Sequence, residues 1–188
     1  DTCKLGIASA RGLAGELRTR LIAKSASLPQ PIRDLKIKVS GCFNSCGQHH
    51  VADIGFYGNS RKVENYTVPH FQVVLGGQWD QNAANYGMAV GAVPSKNIPA
   101  VIDAVTDRFV KDRNGEERFQ DFIARLGRKE VRAMLDPFMK VPAHAADPSY
   151  YSDWGDPREF TIGDMGVGEC AGEIVSPFSM EITKAESE

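Results

Sequence analysis

Ser40-Gly41-Cys42-Phe43-Asn44-Ser45-Cys46-Gly47-Gln48-His49-His50 runs directly into Val51-Ala52-Asp53-Ile54-Gly55-Phe56. Just before it, Leu35, Ile37 and Val39 alternate with Lys36, Lys38 and Ser40, the period of a half-buried strand. Val51 to Tyr57 reads as a second strand. Two cysteines four residues apart therefore sit in a short connection between strands, among small and turn-forming residues. A packed core has no need of Gly-Cys-x-x-x-Cys-Gly at a strand end, whereas backbone wrapped closely around a metal centre does. Thiolates are soft ligands that suit zinc, copper(I) and iron–sulfur clusters. A zinc site more usually shows a second close Cys/His pair, and the adjacent His49 and His50 tend to diverge. Two buried free thiols are the bland alternative.

Outward from this stretch, residues 4–24 read as a helix, with Ala10, Leu13, Ala14, Leu17 and Leu21 on one apolar face. Gly6, Gly12 and Gly15 weaken it intrinsically and suggest close approach of another backbone or a flat ligand. Pro29 and Pro31 end the element. Residues 59–69 are polar and turn-rich, and Phe71, Val73 and Leu75 begin a third strand closed by Gly76-Gly77. Residues 78–94 show little periodicity. Ser95 reads as an N-cap, with Pro99 tolerated in the first turn. Ile98, Val101, Ile102, Val105 and Phe109 then mark an amphipathic helix. Phe119, Phe122, Ile123 and Leu126 mark the next, with Gly127 as its C-cap, and Val131, Met134 and Leu135 a short last one. The expected fold class is α+β, a mixed sheet with packed helices.

Composition sets the outer limits. A chain of 188 residues can bury a substantial core. No run reaches the roughly 18 apolar residues of a membrane span, and no secretory leader is visible. Four cysteines in a chain of this size, Cys3, Cys42, Cys46 and Cys170, point to a reducing, cytoplasmic compartment and to metal or redox chemistry rather than a disulfide framework. Charge is uneven: ten Lys and Arg face four Asp and Glu over residues 1–63, and three face eleven over residues 136–188. The basic front meets an anionic cofactor or partner, or is simply a solvated face. We expect a domain over residues 1–135 and, over 136–188, an irregular acidic extension carrying Tyr150, Tyr151, Trp154 and Phe160 that lies on the domain surface. Asp1 in place of Met leads us to expect that the chain begins inside a longer protein.

Ser40-Gly41-Cys42-x-x-x-Cys46, six residues, then Asp53-Ile54-Gly55-Phe56 resembles the siroheme and 4Fe-4S signature of nitrite and sulfite reductases at every defined position. Asp1-Thr2-Cys3-Lys4-Leu5 is similar to the end of the family's first cysteine motif, C-x5-C, and Val74-Leu75-Gly76-Gly77 extends the likeness. The resemblance implies that Cys3, Cys42 and Cys46 are cluster ligands and that the Cys46 sulfur also bridges to the siroheme iron. It implies a fourth ligand a few residues before Asp1, so this chain alone is expected to be inactive. Gly41, Asn44, Ser45 and Gln48 would line the cofactors, with His49 and Cys170 as further candidates. Lys4, Arg11, Lys36 and Lys38 are candidates for the siroheme carboxylates.

The implied reaction is the six-electron reduction of nitrite to ammonia or of sulfite to sulfide. The implied partners are nitrite or sulfite, reduced ferredoxin or a similar carrier, and the N-terminal part of the same enzyme, whose basic residues grip substrate. No nucleic acid or membrane partner is implied. Asn44-Ser45-Cys46-Gly47-Gln48 resembles the nitrite reductase form of the loop, although Phe43 stands where the family usually has Pro. A non-enzymatic zinc or apo structural domain is the reading of another class.

Overall fold

Alternation along the strands gives the sheet two unlike faces. The computed structural model describes residue 3 and residues 5–80 and 85–162. Four strands are present in the order β1-β2-β3-β4: β1 (Ile37–Ser40), β2 (Ile54–Val63), β3 (Tyr66–Leu75) and β4 (Met88–Pro94). β1 runs parallel to β2 with Ile37 opposite Ile54, while β3 is antiparallel to both β2 and β4, so the sheet is mixed. Successive side chains on a strand point to opposite faces. Ile37, Val39, Ile54, Phe56, Phe71, Val73 and Leu75 thus share one face and join the core. Lys38, Ser40, Gly55 and Tyr57 share the other.

Helices cover the first face. α1 (Ala10–Lys24) contributes Leu13 and Leu17, and the short α2 (Gln30–Arg33) contributes Ile32. α3 (Ile98–Asp112) buries Val101, Ile102, Val105 and Phe109. α4 (Phe119–Leu135) buries Phe119, Phe122, Ile123, Val131 and Leu135 and is interrupted at Gly127, whose φ of 72° no helix allows. Phe109, Phe119 and Phe122 meet with ring centroids 5.2 Å apart in two of their pairs, locking α3 to α4.

Five expectations change. The second strand begins at Ile54, not Val51, which closes a 3-10 turn over His49–Val51. The first helix begins at Ala10, not residue 4, because Ser9 caps it and accepts from Gly12 N at 3.2 Å. Residues 59–69 are not loop: β2 and β3 continue as a hairpin to Val63 and Tyr66, with Glu64 at φ 55° in the turn. The polar residues there simply line the solvated end. Residues 88–94 form β4 despite their Ala and Gly content, because pairing to β3 overrides weak intrinsic preference. Ser95 is no side-chain cap. It starts a 3-10 turn, and its hydroxyl donates to Asp153.

Candidate metal centre

The middle of the connection Gly41–Asp53, around Gly47 and His49, packs on the sheet face away from the helices, against Ser40, Gly55 and Tyr57. Ser40, last in β1, organises it: its buried Oγ accepts from Gly47 N at 3.1 Å and lies 2.9 Å from His49 Nδ1. The His49 ring packs on Tyr57 at 4.7 Å, on the same face. Contact is too close for side chains at Gly47, Gly55, Gly58 and Gly77. A Cβ on Gly47 would lie 2.3 Å from the Val39 carbonyl oxygen, and one on Gly55 would lie 1.9 Å from that of His49. Ser45 and Gln48 hold positive φ of 60° and 58°, and Gln48 N donates to the Ser45 carbonyl at 2.7 Å. The peptide thus turns tightly between the two cysteines and the strand that follows.

Cys42 is buried and Cys46 exposed, and both are free thiols, as is the exposed Cys3. The segment after Cys3 is tied to the loop through backbone: Ile7 N and Ala8 N donate to the Gly41 carbonyl at 2.8 and 3.2 Å, and Gly6 N donates to the Cys3 carbonyl at 2.9 Å. The structure therefore brings the peptide carrying Cys3 against the residue preceding Cys42. Among the described residues, no three His, Cys, Asp or Glu side chains close on one metal position. Thiols from two hydrogen-bonded backbone segments, one of them on a turn stripped of side chains at its seat, fit the soft, crowded coordination of a cluster.

The remaining candidates separate. Asn44 and Gln48 are exposed on the loop, and Gly41 and Ser45 are half-buried. His49 is buried, and burial together with neighbouring His50 lowers its pKa to about 4. It is a neutral brace inside the loop. Lys38 lies 4.1 Å over the Trp79 ring. Lys4 and Cys170 lie outside the described residues. His70 is a buried strand residue whose Nδ1 lies 2.9 Å from the Val68 carbonyl, and burial depresses its pKa too.

Three features escaped the sequence reading. Ser40 carried no signal beyond its place in the motif. Asp53 is a latch: its carboxylate accepts from Lys36 N and from Gln120 Nε2, both at 2.7 Å, joining the start of β2 to the approach to β1 and to α4. Burial pushes its carboxyl upward, against the Lys36 hydrogen bond. His50 bonds Ser45 Oγ through Nδ1 and meets the Tyr86 ring edge-on at 4.5 Å. Phe43 and Tyr86, 69% and 73% exposed, flank this loop and leave large apolar surface beside the cysteines.

Residues 1–142 match the family described as nitrite and sulphite reductase 4Fe-4S domain. Sulfite reductase (ferredoxin) 1 of Mycolicibacterium paratuberculosis is 35% identical over 138 residues, 70% of this chain and 24% of that protein. The assimilatory ferredoxin-dependent nitrite reductase of Haloferax mediterranei is 24% identical over 155 residues, 80% of this chain and 26% of that protein. The solved structure of the Mycobacterium tuberculosis NirA protein superposes with a TM-score of 0.52 at 33% identity, covering 65% of this chain and 22% of that one. The chain spans about a quarter of the length of these curated relatives.

Proposed function

The chain belongs to the nitrite and sulphite reductase 4Fe-4S domain family, and on that footing we propose that it is the cofactor-binding part of a siroheme- and 4Fe-4S-dependent reductase. The observation that supports this best is the pairing of the Cys3 segment with the Cys42–Cys46 loop through Gly41. Cys3, Cys42 and Cys46 supply three of the thiolates such a cluster takes, and polypeptide beyond this chain supplies the fourth. Cys46, exposed on the loop, would be the thiolate offered toward a siroheme. When bound, the cluster and siroheme supply one-electron steps to an oxyanion substrate. The protein's own part is to seat the loop against β1, keep His49 neutral and present Lys38 and the exposed loop face to an anionic group.

Nitrite is the substrate we favour, on the Asn44-Ser45-Cys46-Gly47-Gln48 loop. Sulfite is the second reading, favoured by the 35% identity to a sulfite reductase against 24% to a nitrite reductase. Reduced ferredoxin or a similar carrier in the cytoplasm is the donor we infer, given ferredoxin-dependent relatives and three free thiols. Steady-state rates of the intact enzyme with each anion decide the substrate. Cys46→Ser should abolish turnover with both, and normal turnover in that variant would end the proposal.

A further inference from the structure

A carboxylate sits where the chain's late and early parts meet. Asp153 is buried, and burying a charge is costly unless its oxygens are occupied. They are: Oδ2 accepts from Ser9 N at 2.6 Å, and Oδ1 accepts from Ser95 Oγ at 3.0 Å and Trp154 N at 2.8 Å. Lys96 Nζ donates to the Asp153 carbonyl at 3.3 Å and lies 4.3 Å over the Trp154 ring, whose Nε1 donates to the Ser95 carbonyl at 3.0 Å. The Trp154 backbone presses on α1 so closely that a Cβ on Gly12 would lie 2.1 Å from its carbonyl oxygen. This is the close backbone approach that the helix glycines suggest, and the partner is the chain's own extension.

Ser9 is also the end of the segment that carries Cys3. Ile7 and Ala8 donate to the Gly41 carbonyl on one side of it, and Ser9 donates to Asp153 on the other. The backbone of residues 7–9 is thus hydrogen-bonded both to Asp153 and to the residue before Cys42. The match to the family ends at residue 142, so Asp153 and Trp154 lie beyond it. Resting on the cluster reading above, we propose that Asp153 and Trp154 are positioning residues: the 148–156 strap holds the Cys3 segment in register with the Cys42 loop without touching the metal itself.

The test uses Asp153→Asn and Trp154→Phe in the 188-residue chain. The asparagine keeps the size of the side chain but turns an N–H toward Ser9 N–H or breaks the contacts at Oδ1. Native-state hydrogen exchange should become about tenfold or more faster at Ile7, Ala8 and Ser9, and less than about twofold faster at Phe56 and Val73. Alkylation of buried Cys42 should accelerate in parallel, and iron retained after anaerobic reconstitution should fall. Trp154→Phe, which loses only the indole N–H and some bulk, should show the same pattern more weakly and serves alone should Asp153→Asn not fold. Unchanged exchange at residues 7–9 overturns the proposal. An equal rise at Phe56 and Val73 overturns it too, because the strap would then be a general stabiliser. Exchange and alkylation do not need iron. Failure of the 188-residue chain to take up iron therefore leaves the strap decided, and the cluster reading stands or falls separately, on the iron content of the intact enzyme that supplies the fourth ligand.

Discussion

The two faces of the sheet are built on opposite principles. The helical face is redundant: Ile54, Phe56, Phe71, Val73 and Leu75 meet side chains from all the long helices, and each apolar group has many neighbours. The loop face is thin. Its seat rests on one hydroxyl, Ser40, one neutral ring, His49, and missing side chains, among them those at Gly47 and Gly55. The helical face therefore carries stability, whereas the loop face carries position, where small changes act locally and on the thiols.

The largest expected effect lies on the helical face. Phe56→Ala should cost about 3–5 kcal/mol in denaturant unfolding while leaving Cys46 reactivity in the folded protein unchanged; a shift confined to the loop would break the distinction. Gly47→Ala comes next. Forcing a Cβ into the Val39 carbonyl should cost roughly 1–3 kcal/mol and speed alkylation of Cys42, so stability loss without a change at Cys42 would contradict the account.

Acidification sharpens the same contrast. His49 is held neutral, with a folded pKa of about 4 against 6.5 when free. The unfolded chain therefore binds the proton more readily between those values. The stability contribution is fully present above pH 6.5 and is lost as pH falls toward 4, by up to about 3 kcal/mol. Burial shifts His70 in the same direction. In His49→Gln the slope of stability with pH over this window should shrink. An unaltered slope would show that the ring is not buried neutral. Ser40→Ala should cost about 1–3 kcal/mol by stranding His49 Nδ1 and Gly47 N–H, read by thermal unfolding. The smallest effect is expected at the exposed Lys24–Asp103 pair, 2.8 Å apart, where Asp103→Ala should change stability by less than about 1 kcal/mol.

The helical face was largely legible from the chain, and the loop face only as a motif. Leu13 and Leu17, Val101 through Phe109, and Phe119 through Ile123 announce their burial by spacing alone, since an amphipathic helix repeats its pattern. The break at Gly127 was legible for the same reason. β4 was not, because Ala89, Gly91 and Ala92 have little strand preference until β3 offers its hydrogen bonds. At the site, Cys42, Cys46 and Asp53 could be picked out by resemblance, yet what Asp53 does could not: its partners Lys36 N and Gln120 come from distant parts of the chain. The strap was the least legible. Asp153 and Trp154 read as part of an acidic surface extension, and only the fold brings them to Ser9 and Gly12.

The central claim is that the loop face exists to hold a cluster beside Cys46. The most direct test is the metal content and visible spectrum of the intact enzyme prepared without oxygen, together with its Cys46→Ser variant. We predict about five iron atoms and about four labile sulfides per chain, four irons in the cluster and one in the siroheme, siroheme absorption in the wild type, and loss of cluster–siroheme coupling in the variant. A colourless protein containing zinc or no metal would contradict it.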